Sequence, residues 1–234
     1  MTILEEHFYN TKEAFFRLLY PASCAVCARG LLLSESGLCG TCGRRLSDLC
    51  FHPEEAVIDD HKFEFLDQAW ALTPYESPVK EILTAIKFHR KRWLVRIFAD
   101  LINPLSKALA GENSYDVILP IPVDRTKLLN REFNQAELFA RLMAAATGIP
   151  LRRHILQKPQ PTSIQSRLGQ KERLMNLTGA FRVSSGTAVR GKNILLVDDI
   201  FTTGATAEES ARTLKSSGAS RVDIFAIAST AISR

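Results

Sequence analysis

The stretch "ILLVDDIFTTGAT", Ile194 to Thr206, restricts the fold more than any other part of the chain: an apolar run, two adjacent carboxylates and a hydroxyl- and glycine-rich turn share thirteen positions. Ile194–Val197 has the length and β-branched content of a strand buried on both faces, and such strands belong to parallel sheets covered by helices. Thr202 to Thr206 follows, and then Ala207, Ala211 and Leu214 at helical spacing with a stop at Gly218. The turn therefore opens a helix. Backbone N–H groups at a helix start are unpaired and carry partial positive charge, so three threonine hydroxyls and a glycine that admits a ligand make a cradle for a phosphate.

The carboxylates need a further reason. A unit charge about 4 Å from a phosphate costs roughly 1 kcal/mol in water and about 4 kcal/mol at an effective dielectric of 20. Asp198 and Asp199 offset that if they accept hydrogen bonds from neighbouring sugar hydroxyls, or hold a hydrated magnesium ion that also touches phosphate oxygens. A phosphorylated ribose meets both demands; the plainer reading is that the acids end the strand and the threonines cap the helix. The whole stretch resembles the ribose-phosphate signature of the type I phosphoribosyltransferases. That resemblance implies that Asp198 and Asp199 hold the ribose hydroxyls of phosphoribosyl pyrophosphate, with magnesium reaching them through the ligand. It also implies that Thr202, Thr203, Gly204, Ala205 and Thr206 hold the 5-phosphate. The receiver domain of phosphorylation relays also begins a site with "LLVDD", but it needs an acidic strand and a lysine strand downstream, and only 35 residues follow Asp199.

The cysteines form a second pattern. Cys24, Cys27, Cys39 and Cys42 read C-x2-C-x11-C-x2-C, with Gly30 after the first pair and Gly40 and Gly43 flanking the second, where they permit tight turns around a metal. Four thiolates in two pairs suit tetrahedral zinc with no open position, so the site is expected to be structural. The other readings are two disulfides, which belong to secreted chains, or a redox pair in a βαβ unit. Cys50 and His52 lie close by, but a fifth ligand is not needed. The first 21 residues lack the basic start and unbroken apolar stretch of a signal peptide, and no apolar run reaches spanning length, so a soluble cytoplasmic protein is expected.

Between these ends, Val117 to Ile121 reads as a strand, and Leu138, Phe139, Leu142, Met143 and Ala146 as a helical stripe closed by Gly148. The loop joining them carries Asp124, Arg125, Lys127 and Arg131. At the carboxyl end of a parallel strand it faces the same crevice as TTGAT, so its cations are placed for a second phosphate group. The polar, basic segment "QKPQPTSIQSRLGQKERLMN" that follows is too long for a bare connection and suits a lid over a charged ligand. Residues 1–60 hold five Lys and Arg against nine Asp and Glu, leaving twenty-five against sixteen in the rest. Lys80 to Arg96 alone has six Lys and Arg and one Glu. Within it Lys87, Arg90, Lys91, Arg92 and Trp93 read either as a solvated helix face over buried aromatics or as a surface for single-stranded nucleic acid with base stacking.

In order along the chain, the cysteine knuckle, "YESPVKEILTAIK" (75–87), "PIPVDRTKLLNREFNQA" (120–136), "QSRLGQKERLMN" (165–176) and the TTGAT signature resemble the ComF family. These are bacterial proteins similar to phosphoribosyltransferases and associated with natural competence and DNA uptake, ComFC and the GntX-like proteins among them. One departure stands out: the family usually has "RGFNQ", and this chain has Arg131-Glu132-Phe133-Asn134-Gln135, which sets a carboxylate beside the expected pyrophosphate loop.

The fold expected is α/β. A small four-cysteine zinc ribbon with an N-terminal helix (1–60) precedes a type I phosphoribosyltransferase-like domain (61–234), whose mostly parallel sheet has flanking helices; 234 residues with 46% hydrophobic and 24% charged content suffice for one core and an appendage. By resemblance the ligand is phosphoribosyl pyrophosphate with magnesium. Arg125, Lys127 and Arg131 face the pyrophosphate, and in a transferase Arg125, Lys127, Arg167 and Arg173 stabilise its departing charge. Three function classes remain: a sugar-pyrophosphate-binding protein that handles single-stranded DNA in competence, an active phosphoribosyltransferase whose acceptor the sequence does not name, and an adaptor whose ribbon docks a DNA-translocating competence helicase.

Overall fold

The computed structural model describes residues 22–58, 63–112, 114–124, 126, 128–129, 132–159 and 178–232. In chain order its elements are α1 (Gly40–Leu49), β1 (Gln68–Pro74), α2 (Val79–Phe88), a 3-10 helix (Arg92–Phe98), α3 (Ala99–Glu112), β2 (Val117–Pro120), α4 (Gln135–Thr147), β3 (Leu156–Gln157), β4 (Arg182–Val183), β5 (Asn193–Phe201), α5 (Ala205–Ser216) and β6 (Arg221–Ser229). Four strands make one parallel sheet in the order β1-β6-β5-β2, and β3 pairs antiparallel with β4. This is the mostly parallel, helix-flanked α/β sheet that the apolar runs require.

The apolar run of β5 alternates between two cores. Leu195 and Val197 point to the face covered by α2, the 3-10 helix, α3 and α4, together with Ile118, Phe225, Ile227, Phe98 and Phe139. Ile194 and Leu196 point to the other, with Val117, Leu119, Ile224 and the α5 residues Ala207, Ala211 and Leu214. Each fully buried Leu, Ile, Val or Phe contributes roughly 1.5–3 kcal/mol, so a strand that is apolar at every position is stable only where both faces are covered.

Two boundaries differ from the sequence reading. β5 does not stop at Val197: it pairs with β6 as far as Phe201↔Ser229, so both carboxylates lie inside the strand. β2 pairs with β5 through Pro120↔Val197, with a last hydrogen bond from Ile121 N to Val197 O at 2.9 Å; Ile118 N donates to the opposite side, to Pro150 O, so Pro120 falls where β5 asks for no donor. α4 forms as expected. The Asn134 side chain accepts from Ala136 N at 3.1 Å and donates to Ile121 O at 2.8 Å, fixing the helix start to the end of β2, and Gly148 closes the helix at φ 74. Among the described residues no helix is long and apolar enough to cross a membrane.

The segment before residue 60 lies along the edge of β1. Phe51 N donates to Leu72 O, Ala71 N to Ala56 O and Ile58 N to Ala69 O, all between 2.8 and 2.9 Å, and Val57 bridges Trp70 in antiparallel sense. Leu38, Leu46 and Phe51 of the cysteine-bearing part belong to the same core as Ile82, Leu94 and Phe98.

Candidate functional site

Asp198 and Asp199 project beyond the last β2–β5 pair, where β5 continues with a neighbour only on its β6 side. Asp199 N donates to Asp198 Oδ1 at 2.8 Å. Burial of its carboxyl pushes Asp198 well above the ordinary carboxylate range; the Asp199 charge adds to the shift, and Lys87 opposes it. Lys87, in the last turn of α2, lies near enough for its charge to act on Asp198, a placement that its position in a basic cluster did not reveal. Thr202 and Thr203 form the turn after β5, and Gly204, with φ +75, stands at the N-cap of α5, ahead of Ala205 and Thr206. Asp198, Thr202, Gly204, Ala205 and Thr206 are brought together around a cavity of about 20 Å³.

The turn has a neighbour with no sequence signature. A Cβ on Gly204 would stand 2.7 Å from Phe63 Cε1 and 2.9 Å from Phe201 Cζ, and the two rings meet edge to face with centroids 5.9 Å apart. Phe63 is held there by Glu208, in the first turn of α5, whose carboxylate accepts from the backbone N–H groups of Glu64 (2.8 Å), Phe65 (2.8 Å) and Leu66 (3.1 Å). Glycine at 204 therefore answers to a positive φ and two aromatic rings, a packing requirement that stands beside the ligand approach expected from the sequence. Glu208 was legible only as an acid in the first turn of a helix.

Of the residues expected to face pyrophosphate, Arg125, Lys127 and Arg131 lie outside the described residues, as do Arg167 and Arg173 of the expected lid. The loop that carries the first three starts at the buried Asp124, whose carbonyl accepts from Leu128 N at 3.0 Å. Beside its start, Pro122, Asn134, Arg153, His154, Lys158 and Arg182 line a cleft of about 640 Å³ next to the β3–β4 pair.

Lys87, Arg90, Lys91, Arg92 and Trp93 are contiguous in space, but not on one helix face. α2 ends at Phe88, Arg90 takes φ +55, and the 3-10 helix starts at Arg92, so the cluster is a turn. Glu132 reaches this turn: its carboxylate lies 2.7 Å from Arg90 Nη1 and 3.1 Å from Arg92 Nη2. The Arg92 guanidinium also sits 4.6 Å from the centroid of the Phe133 ring. Trp93 is half-exposed, and an atom of its ring lies only 2.7 Å from where a Cβ on Gly37 would stand, so part of the indole packs on the cysteine-bearing part.

The ligand sulfurs of Cys24, Cys27, Cys39 and Cys42 all lie within 4.8 Å of one another, a group that can hold a metal ion and could form a zinc site. Cys27 Sγ and Cys39 Sγ are 3.7 Å apart, close to the ~3.8 Å edge of a tetrahedron with 2.3 Å metal–sulfur bonds and far from the ~2.05 Å of a disulfide. Gly40 and Gly43 do not make turns, as expected from sequence, but lie in α1, whose N-cap is Cys39; the buried Cys42 and Leu46 on one face of α1 hold it helical against the glycine cost. Burial pushes the Cys24 thiol up, but the backbone N–H groups of Cys27, Cys39 and Val26 outweigh it and leave Cys24 at about 6. Burial and the sulfurs of Cys39, Cys27 and Cys24 push Cys42 up to about 12.

Comparison with known proteins agrees with this arrangement. The phosphoribosyl transferase domain family matches residues 138–234, from α4 through the acid pair to the end of the chain. Competence protein F of Haemophilus influenzae is 25% identical over 88% of this chain and 96% of its own length. The DNA utilization protein YhgH of Salmonella typhi is 26% identical over 91% of this chain and 99% of its own. Competence protein ComFC of Bacillus subtilis is 29% identical over 83% of this chain and 78% of its own. With a four-cysteine cluster ahead of a parallel sheet, paired acids inside β5 and a glycine-led helix, the chain is similar over most of its length to competence and DNA utilization proteins, and its residues 138–234 match the phosphoribosyl transferase domain family.

Proposed function

We propose that this chain binds phosphoribosyl pyrophosphate with magnesium and serves competence-related DNA uptake, handling single-stranded DNA on its basic surface. The observation that carries the reading is the gathering of Asp198, next to Asp199 in β5, with Thr202, Gly204, Ala205 and Thr206 of the turn and the start of α5 around one cavity, within residues that match the phosphoribosyl transferase domain family. The names of the relatives, competence protein F, ComFC and DNA utilization protein, support the cellular role. Asp198 and Asp199 take the ribose hydroxyls, Thr202 to Thr206 the 5-phosphate, and Arg125, Lys127 and Arg131 the pyrophosphate. Among the described residues, the four cysteines are the one group of three or more ligating side chains close enough to hold an ion. Magnesium at the acids therefore needs phosphate oxygens and water to complete its octahedron, and it arrives with the ligand. If a pentosyl transfer follows, Arg125, Lys127, Arg167 and Arg173 offset the charge that develops on the leaving pyrophosphate.

Zinc is the proposed metal of the cysteine cluster, since four thiolates at tetrahedral spacing close its coordination. It organises a ribbon within residues 1–60 ahead of a transferase-like domain at 61–234. Ionised thiols serving as ligands belong in a reducing compartment, which supports a cytoplasmic protein. A second reading, an adaptor that docks a DNA-translocating helicase, is favoured by Leu32 and Leu33, which stand 64% and 68% exposed between the two cysteine pairs.

Calorimetric titration with phosphoribosyl pyrophosphate, with and without magnesium, on the natural chain and on Asp199→Asn tests the main reading. The variant is expected to bind roughly ten- to a hundredfold more weakly, as for loss of one charge-assisted hydrogen bond. Equal affinity of both proteins, indifferent to magnesium, rules the pocket out.

A further inference from the structure

Glu132 holds a conformation that an L-residue adopts only when something compensates for it. Its φ is +65, and Arg90, directly across from it, has φ +55. Between these two strained positions runs a forked ion pair: one carboxylate oxygen meets Arg90 Nη1 at 2.7 Å, and the other meets Arg92 Nη2 at 3.1 Å. The Phe133 ring beneath Arg92 fixes the plane of that guanidinium. Two guanidinium groups converging on two oxygens of one anion is the arrangement with which arginines grip a phosphate group. The three side chains are 59%, 46% and 49% exposed, so the pair is reachable from solvent and the carboxylate is weakly held.

We propose that Arg90 and Arg92 form a phosphate-binding pair that Glu132 closes with its own carboxylate, and that an incoming phosphate group opens the pair by displacing Glu132. The proposal rests on the reading that this face binds phosphate esters, and it adds the residue that limits such binding. The phosphate has two sources of the same chemistry: the pyrophosphate of the sugar ligand, because Glu132 follows directly on the loop after β2, or the backbone of single-stranded DNA. A phosphate bearing more charge than a carboxylate competes for both arginines, while Glu132 loses contacts worth little in water and is released from its left-handed conformation.

The test uses the full-length chain and four variants: Glu132→Gln, Glu132→Gly, Arg90→Gln/Arg92→Gln, and the triple variant with Glu132→Gln. The probes are inorganic pyrophosphate with magnesium and a fluorescent oligodeoxythymidine. Removing one carboxylate about 4 Å from the phosphate is expected to tighten binding of at least one probe about fivefold or more in either Glu132 variant. If the oligonucleotide is the ligand, the salt dependence steepens by about 0.7 to 1.4 log units per log unit of salt, for one or two newly engaged phosphates. In the double-arginine background the gain disappears. A gain confined to pyrophosphate assigns the pair to the sugar ligand, and one confined to the oligonucleotide assigns it to the nucleic-acid backbone. Wild-type binding that neither Glu132 variant tightens, or a gain that persists without the arginines, overturns the latch and leaves the phosphate reading standing. If no variant binds either probe, the latch and the reading of this face fall together.

Discussion

Replacing Gly204 by alanine separates two uses of one glycine. If the residue serves only to let a phosphate approach the backbone, Gly204→Ala loses ligand affinity and keeps its melting temperature. The structure gives the opposite expectation. A left-handed φ of +75 costs a residue with a Cβ about 1–2 kcal/mol, and a Cβ 2.7 Å from Phe63 and 2.9 Å from Phe201 forces the rings apart at about 1–3 kcal/mol more. The sum, roughly 2–5 kcal/mol, corresponds to a fall in melting temperature on the order of 10 °C for a chain of this length. Scanning calorimetry on the ligand-free protein reads it directly. Phe63→Ala supplies the internal check: it removes the nearer clash and leaves the backbone strain, so the double variant should be more stable than the sum of single losses implies, by about 1–2 kcal/mol. A Gly204→Ala protein that melts within a degree of the parent, or a double variant that is simply additive, refutes the packing argument and returns the glycine to the ligand.

Three further outcomes follow from buried charge. Because burial and Asp199 raise Asp198 above the usual carboxylate range, ligand binding that needs both acids ionised should strengthen as pH climbs through the range where Asp198 ionises, and titration within that range in buffers of different ionisation heat should show proton release. With Cys42 pushed up to about 12, metal uptake at neutral pH must displace its proton, so zinc binding should release acid and weaken as pH falls, and an indicator dye followed during metal titration measures it; uptake without proton release rules out a four-thiolate site. Asp223 is fully buried, accepts from Arg221 Nε at 2.9 Å and also pairs with the buried Tyr115 hydroxyl, so Asp223→Ala should cost about 1–3 kcal/mol in denaturant unfolding by stranding that hydroxyl, while Arg221 reaches solvent and keeps Gln68.

What the sequence disclosed and what it concealed divide by the distance over which each feature is decided. β5, α4 and α5 were legible because apolar spacing and capping are local, and the acid pair and the cysteine spacing were legible because their chemistry lies within a few positions. The continuation of β5 through Asp198 and Asp199 was not, because it depends on β6 having residues to pair as far as Ser229. Phe63 lies far from Gly204 in sequence, and nothing near either residue announces the contact. Glu132 was visible as a departure from the family pattern, yet its two partners are about forty residues earlier and become its partners only because the chain reverses at Arg90. The glycines of α1 misled for the same reason: a local preference for turns gave way to the burial of Cys42 and Leu46.

These long-range contacts also explain how so small a cysteine module is held. Modules of about 40 residues rarely sustain a core unaided. Here Leu38, Cys39, Cys42, Leu46 and Phe51 share a core with Ile82, Leu94 and Phe98, and the backbone of 51–58 extends the edge of β1. Gly37, two residues before Cys39, packs on Trp93; Trp93 adjoins Arg92 at the start of the 3-10 helix; and Arg92 meets Glu132 and Phe133 on the approach to α4. The cysteine cluster and the loop after β2 are thus the two ends of one run of contacts, with the basic turn between them. Collapse of the cluster removes the surface on which Trp93 packs, and with it one of the supports that hold Arg90 and Arg92 against Glu132.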